Sequence, residues 1–472
     1  MAQQETPPPP SAPRALSLPK PVEKSLKNGL RVIVIERAGV PLATAQLMIK
    51  NGSEVDPMPL AGLANMTASL LTEGTTTRTA PQIAEAIEAL GGALDSAARW
   101  DYSAAQISVM SSNIDPAMAI LADVIRRPAF KDEEIERQRQ QLEDELRVAL
   151  SQPGTLARAV AARVVFGDLP YGHTLQGTPE SLARIKRDDI VQLHSAYYRP
   201  DNAILVIGGS IKPDDAFKLA EKFFGDWQKP STPLPASSVA KRPESTLVKR
   251  PSVLVIDKPD AGQAAVVLVR SGLQRTDPDY FRGIVANSVL TGYSGRLNQE
   301  IRIKRGLSYG ASSALDVRRE VGPFIAVTQT KNQSGAEVAS LLLGEVKRLS
   351  SERVADVELT PRKAVLIGNF GRNLETSAGI VTQISALALY GLSLDEINRY
   401  IQNVQAIGAG DVQKFAGSRL SASDANIIIV GDAKQFMDNL RKQFPDIEVI
   451  PASELDLNSA ALRHAQTGGT KQ

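Results

Sequence analysis

Histidine and cysteine, two common metal ligands and nucleophiles, are scarce or absent in this 472-residue chain. The three histidines are His173, His194 and His464. No two of them lie one helical turn apart, the spacing that lets two imidazoles bind one zinc ion from a single helix. Cysteine is absent, which excludes thiolate zinc sites, iron–sulfur clusters, disulfides and cysteine nucleophiles. We therefore expect no metal in this chain, with His173 ordering a loop and His194 packed in a helix.

Motifs for other chemistries are incomplete. The segment Gly408-Ala-Gly-Asp-Val-Gln lacks the third glycine of a dinucleotide loop, and no GxxxxGK[ST] phosphate loop is present. Gly292-Tyr-Ser-Gly is one residue short of a nucleophile elbow. The 54 Lys and Arg against 52 Asp and Glu leave a formal charge of +2, which does not imply a nucleic-acid partner. No apolar run approaches the roughly 20 residues of a spanning helix.

The elements that would position a site occur twice. Matching segments begin at Leu47 and Val267, at Asp132 and Asp356, and at Asn202 and Asn426. The members of these pairs are separated by 220, 224 and 224 residues. Such a constant separation indicates an internal duplication of a domain of about 210 residues.

Composition sets the boundaries of the two copies. We predict a Pro-rich tail over 1–24, an N-terminal domain over 25–228, a Pro-rich linker over 229–251, a C-terminal domain over 252–452 and a polar tail over 453–472. In the first copy, strands are predicted over 30–36, 43–51, 106–112 and 202–207, and helices from about 60, 81, 116 and 131. Strands that alternate apolar and polar residues predict an α+β fold, in which each domain is a mainly antiparallel sheet with helices packed on one face.

Residues 62–75, GLANMTASLLTEGT, resemble a segment of a known family. They are similar to the segment that carries the inverted zinc motif HxxEH in the pitrilysin and mitochondrial-processing-peptidase family. Here Asn65 replaces the first histidine, Ala68 the glutamate and Ser69 the second histidine. The family's third ligand is a downstream glutamate, and Glu143-Asp-Glu145 occupies the corresponding helix. The resemblance implies a degenerate site that lacks both ligands and general base.

A second segment, residues 294–310, resembles the family's C-terminal signature. There an arginine and a tyrosine seven residues later project toward bound peptide, and Arg302 and Tyr309 have this spacing. By this resemblance the two side chains are catalytic groups contributed in trans. Arginine is a forked donor to a carbonyl or carboxylate, and the tyrosine hydroxyl is a donor to a developing oxyanion. Arg305, in the same segment, is predicted to be a solvated charge.

The family resemblance covers residues 25–450 and implies a function. The chain would be the zinc-free subunit of a heteromeric zinc endopeptidase and would form half of a clam-shell chamber for unfolded peptides. Zinc is then expected in a homologous partner subunit with an intact HxxEH motif. The alternative is a catalytically inert structural or binding protein with a spent peptidase fold. A self-sufficient hydrolase is a third hypothesis, although no Ser/His/Asp order is visible.

The first residues bear on the compartment. Met-Ala-Gln-Gln-Glu-Thr lacks a charged region followed by an apolar region. Ala-Gln-Gln is also a start typical of exported bacterial proteins after signal removal. We expect a periplasmic rather than a cytoplasmic location.

Overall fold

The computed structural model describes residues 18–235 and 251–464. The predicted Pro-rich tail and linker, and the end of the polar tail, therefore lie largely outside the described residues. The twelve strands are β1 (Val22–Ser25), β2 (Arg31–Glu36), β3 (Leu42–Ile49), β4 (Ala93–Ala98), β5 (Ser103–Met110), β6 (Ala203–Gly209), β7 (Val253–Asp257), β8 (Ala264–Ser271), β9 (Ala311–Leu315), β10 (Pro323–Thr330), β11 (Asn426–Gly431) and β12 (Ile447–Pro451).

Helices join these strands in both halves. The first half has α1 (Leu63–Leu70), α2 (Ala80–Ala89), α3 (Ile114–Arg126), α4 (Asp132–Ser151), α5 (Pro153–Phe166), α6 (Pro179–Leu182), α7 (Arg187–Tyr197) and α8 (Pro213–Phe224). The second half has α9 (Tyr280–Leu290), α10 (Arg296–Asn298), a π-helix (Gln299–Lys304), α11 (Gly335–Ser351), α12 (Asp356–Asn373), α13 (Ser377–Leu389), α14 (Glu396–Ala406), α15 (Ala409–Arg419) and α16 (Met437–Gln443). Within the described chain, no helix is both long enough and apolar enough to cross a membrane.

The two sheets share one topology. Their strand orders are β1-β2-β6-β3-β5-β4 and β12-β7-β11-β8-β10-β9. Four of the five strand pairs in each sheet correspond. The pairs β2/β6 and β7/β11 are parallel. The other three pairs, from β6 to β4 in one sheet and from β11 to β9 in the other, are antiparallel. The outer strand differs, because β1 precedes β2 and is antiparallel to it, whereas β12 comes from the end of the chain and is parallel to β7. The predicted α+β fold of two homologous domains is confirmed.

Each half packs its own helices on one face of its sheet, and the other half covers the second face. Helix α5 packs on the second sheet, where Val160 contacts a cluster that includes Val267 and Ile428. Helix α13 packs on the first sheet, where Val381 belongs to a cluster with Ile33. Helix α5 follows α4 in the first half as α13 follows α12 in the second, so equivalent helices cover the sheet of the opposite half. We call this arrangement the exchange of α5 and α13. Both faces of each sheet are therefore buried, and neither half buries its own sheet alone.

A polar cluster joins the halves where the β4–β5 turn meets the β9–β10 turn. The Arg319 backbone N–H donates to Oδ2 of Asp101 at 2.7 Å, and its guanidinium lies 3.2 Å from the Glu54 carboxylate. Glu54 is fully buried and also accepts the Gly52 N–H at 2.7 Å. Burial raises the pKa of Glu54 to about 7, against the opposing effects of Arg319 and of the Gly52 N–H. The two halves thus share buried charge as well as apolar surface.

Both ends of the described chain belong to the fold beyond the predicted boundaries. Strand β1 begins at Val22, inside the segment predicted as a tail over 1–24. In the segment predicted as a polar tail from 453, Leu457 and Leu462 are buried in the α5 cluster. The tail boundaries are corrected accordingly, because backbone pairing with β2 holds the exposed strand β1, and the two buried leucines hold the C-terminal segment.

Candidate substrate-binding site

The loop that carries Tyr309 is held firmly while its side chain is 91% exposed. The loop connects the π-helix to β9. The Thr328 hydroxyl, on the neighbouring strand β10, donates to the Gly310 carbonyl at 2.8 Å and lies 2.7 Å from Ser308 Oγ. The Thr330 hydroxyl donates to the Leu307 carbonyl at 2.6 Å. A fixed backbone therefore presents the ring of Tyr309 to a cavity of 570 Å³.

Arg302 lies within the π-helix, a wide helical turn that recurs at functional sites. Its guanidinium lies 5.5 Å from the centre of the exposed Tyr293 ring, within the range of a cation–π contact. Within the described chain, no hydrogen bond or ion pair joins Arg302 to Tyr309 or to a carboxylate. The structure thus exposes both predicted residues on one short segment but does not bring their side chains into contact.

Arg305 differs from Arg302 because it forms ion pairs on the surface. Its Nε lies 3.1 Å from Glu300, and its Nη1 lies 3.1 Å from Glu337. Exposed pairs of this kind contribute little to stability. Arg305 is therefore a suitable control for substitutions at Arg302.

The degenerate motif residues lie on α1. Ala68 is fully buried, and Asn65 and Ser69 are partly exposed. Asp56 caps this helix, because its two carboxylate oxygens accept the backbone N–H groups of Gly62 and Ala64 at 2.9 and 2.8 Å. Burial raises the pKa of Asp56, and these two N–H groups oppose the shift. These contacts hold the N-terminal end of the helix in place.

The carboxylates of α4 are occupied by neighbours on their own helix. Arg147 forms ion pairs with Glu143 at 3.2 Å and with Asp144 at 2.7 Å, and Glu145 accepts the side-chain amide of Gln141 at 3.0 Å. Among residues 18–235 and 251–464, no three His, Cys, Asp or Glu side chains are grouped to hold a metal ion. The residues on α1 do not fit the zinc that the family motif implies, because Asn65 and Ser69 stand at the two ligand positions in place of imidazoles and Ala68 offers no carboxylate as a base.

The two histidines of the first half contact carbonyl groups, and His173 is buried whereas His194 is partly exposed. His173 Nε2 lies 2.9 Å from the Ser53 carbonyl, and His194 Nε2 lies 2.8 Å from the Ile125 carbonyl. Burial lowers the pKa of each imidazole to about 4. Both side chains therefore connect backbone segments and face no common site.

One residue beside Tyr309 was missed in the sequence. Arg158, on α5 of the first half, lines the same cavity. Nothing in the segment QPGTLARAV indicates a site, because α5 reaches the second sheet only through the exchange between halves. A cation within a helix of small apolar residues was the one available signal.

Family models match both halves of the chain. The model described as Insulinase (Peptidase family M16) matches residues 31–178, and the model described as Peptidase M16 inactive domain matches residues 184–366. Together they cover most of the sequence. The residues matched by the first model include the degenerate motif on α1, and those matched by the second include Arg302 and Tyr309.

Similar proteins agree with these models. An uncharacterized zinc protease of Rickettsia bellii is 27% identical over 414 residues, covering 86% of this chain and 96% of the relative. One of Mycobacterium leprae is 25% identical over 398 residues, covering 84% and 88%. A peptidase M16 inactive domain from Pseudomonas fluorescens has a similar fold, with a TM-score of 0.79 and 24% identity over 87% of this chain and 98% of that one. A chain of complex III2 from Candida albicans also shares the fold, with a TM-score of 0.72 and 16% identity over 89% and 99%. With the duplicated fold, this chain belongs to peptidase family M16.

Proposed function

We propose that this chain is the metal-free subunit of a two-chain M16 peptidase and supplies Arg302 and Tyr309 to peptide bound between the subunits. The observation that carries the proposal is the presentation of Tyr309. Its ring is 91% exposed, although Thr328 and Thr330 fix the backbone of its loop. An exposed aromatic side chain on a fixed backbone is suited to binding, because little conformational freedom remains to be lost.

The chemistry of the two side chains supports this role. The Tyr309 hydroxyl can donate a hydrogen bond to the oxygen that becomes negatively charged when a peptide carbonyl is attacked. One such donor contributes about 3 kcal/mol at the transition state. The Arg302 guanidinium lies over the Tyr293 ring, and no ion pair joins it to another described residue, so its five N–H groups can bind a peptide carbonyl or carboxylate.

A partner must supply the metal and the base. The motif positions Asn65, Ala68 and Ser69 offer neither imidazole nor carboxylate, and the α4 acids are paired within their helix. The relatives from Rickettsia and Mycobacterium are named zinc proteases. We therefore propose that zinc is held by a homologous chain with an intact HxxEH motif, and that the two chains together enclose unfolded peptide.

The test is reconstitution with such a homologue from the same genome. Each chain alone, and the mixture, would be assayed for zinc content and for hydrolysis of an internally quenched peptide. We expect activity only in the mixture, and a loss in kcat of roughly 100-fold for Tyr309→Phe, with a comparable loss for Arg302→Ala.

The matched controls are Tyr293→Phe and Arg305→Ala. The first keeps an aromatic ring under Arg302, and the second removes an ion-paired arginine of the same segment. Both variants should retain activity in the mixture. Full activity of Tyr309→Phe and Arg302→Ala would exclude the proposed role.

An inert structural or binding protein is the second candidate. It is favoured by the cation–π contact of Arg302 with Tyr293 rather than with Tyr309, and by a fold shared with a chain of complex III2 from Candida albicans. This candidate predicts a stable complex with the homologue in size-exclusion chromatography and no dependence of peptide hydrolysis on Arg302 or Tyr309.

A further inference from the structure

The cavity below Tyr309 is built from both halves of the chain. The wall on one side is the start of α5: Gln152 directly precedes the helix, and Gly154, Thr155 and Arg158 lie in its first two turns. The other wall is the face of the second sheet formed by β8 and β10. The two walls approach closely at Gly154, because a Cβ atom added at this residue would lie only 2.7 Å from Gln329 Nε2.

Arg158 is the one charged side chain among the described residues that line this cavity. No described carboxylate forms an ion pair with it, and its pKa is lowered by desolvation without an opposing acid. Its neighbours Leu156, Ala157 and Ala159 are buried against the second sheet, which fixes the helix and the direction of the side chain. The Arg158 side chain is exposed at the edge of the cavity, so it offers one positive charge to a ligand there, and the rest of the lining includes hydroxyl and amide groups.

A smaller cavity of 300 Å³ adjoins the first, and the two share Thr155 and Arg158. Its lining is mainly apolar and includes Leu146, Leu150, Phe166 and Ile325. Arg318 and Asp316 also line it. They neutralise each other, because Asp316 Oδ2 lies 2.6 Å from Nη2 and 3.0 Å from Nε of Arg318. Arg158 thus stands between a polar cavity and an apolar one.

A ligand that fits both cavities needs a negatively charged group and an apolar group close together, for example bonded to the same atom. The last residue of a peptide has this form when its side chain is apolar, because the carboxylate and the side chain share one Cα. An internal aspartate or glutamate has the charge without the apolar group. A free anion such as phosphate would leave the smaller cavity empty.

We propose that Arg158 binds the C-terminal carboxylate of a peptide, and that the apolar side chain of its last residue occupies the smaller cavity. Such a peptide would extend from Arg158 past Tyr309, and its carboxyl end would determine which peptide bond lies near that ring. This inference names a substrate class for the proposed function and rests on it, although the binding itself requires neither partner nor metal.

The test is binding of labelled hexapeptides to the purified full chain alone, followed by fluorescence anisotropy. The probes are a peptide ending in leucine as the free acid, the same peptide as its C-terminal amide, the amide with one internal glutamate, and a free acid ending in glycine. We expect the leucine acid to bind at least tenfold more tightly than either amide, and several-fold more tightly than the glycine acid.

Variants assign the effect to Arg158. In Arg158→Gln the acid and the amide should bind equally, whereas the control Arg184→Gln, an exposed arginine without a described ion pair, should behave as wild type. Thr155→Glu places a carboxylate beside Arg158 and should weaken acid binding even if Arg158→Gln folds poorly. Equal binding of acid and amide by the wild-type chain, or unchanged preference in both variants, would overturn the proposal. A preserved preference in a chain that gives no activity with a partner would instead count against the proposed function alone.

Discussion

Tyr171 and Tyr390 donate hydrogen bonds to opposite oxygens of one carboxylate, that of Asp101. Each tyrosine follows the helix that crosses to the other half, and each is followed by a glycine. The Tyr390 hydroxyl lies 3.1 Å from Oδ2, the same oxygen that accepts the Arg319 N–H. Burial, and then the charge of Asp101, raise the pKa of both tyrosines, so both hydroxyls stay protonated donors at neutral pH. The carboxylate of Asp101, in the first half, thus accepts hydrogen bonds from residues of both halves.

Replacing this carboxylate should destabilise the whole chain. Asp101→Ala leaves two tyrosine hydroxyls and one backbone N–H without their acceptor in a buried setting. We expect the free energy of unfolding to fall by about 3 kcal/mol, measured by urea denaturation. Asp95→Ala, at an exposed position on the edge strand β4, is the control and should change it by less than about 0.5 kcal/mol. Equal effects of the two substitutions would contradict the role assigned to Asp101.

Glu54 should make stability fall with rising pH. Because its pKa is raised to about 7 in the folded chain from an ordinary 4.5, its contribution is fully present below pH 4.5 and is lost as the pH approaches 7. The expected loss is about 3 kcal/mol. His173 and His194, with pKa values lowered to about 4, act in the opposite direction between pH 4 and 6.5. The measurement is therefore the difference between Glu54→Gln and wild type, which should shift in favour of the variant as the pH rises. Parallel curves would contradict the raised pKa, because they would mean that folding leaves the pKa of Glu54 at its ordinary value.

Thr328 should act through the position of Tyr309. Thr328→Val keeps the shape of the side chain but removes the hydrogen bond to Gly310. In the reconstituted peptidase we expect kcat to fall roughly tenfold with KM nearly unchanged, because alignment of the Tyr309 donor matters most in the transition state. A control is Thr77→Val, whose hydroxyl bonds Asp123 in the first half. A rise in KM alone would instead indicate a role in ground-state binding.

The exchange of α5 and α13 predicts one unfolding transition for both halves. Both tryptophans lie in the first half, but only Trp227 is buried in its core, whereas the Trp100 ring also contacts Arg318 of the second half. In a Trp100→Phe background the fluorescence of Trp227 therefore reports on the first half. Ile428→Ala in the second sheet removes a fully buried side chain beneath α5 and should cost about 3 kcal/mol. We expect the tryptophan transition to shift as far as the circular-dichroism transition. A tryptophan transition that stays in place would show that the halves unfold independently.

The sequence predicted the features that arise from local patterns. The apolar strands β6 and β11 and their constant separation were sufficient to find the duplication. Arg302 and Tyr309 were singled out by the resemblance of residues 294–310 to the family's signature, and both lie on an exposed segment. The packing of α5 and α13 on the sheet of the opposite half could not be predicted from local sequence patterns. Helix α5 is apolar on several sides, a pattern typical of any buried helix, and the sheet that it covers is specified by tertiary packing. Arg158 was missed for the same reason, since its place beside Tyr309 depends on the exchange.

The reciprocal packing also bears on how the chain is made. During synthesis the first half leaves the ribosome with the β2–β6 face of its sheet uncovered, and the residues that cover it, Ser377–Leu389, are translated far later. Ile33, Ile35, Ile204 and Val206 then form an apolar surface on a nascent chain. Such a surface is a binding site for chaperones and a starting point for aggregation until the last third of the protein has been synthesised.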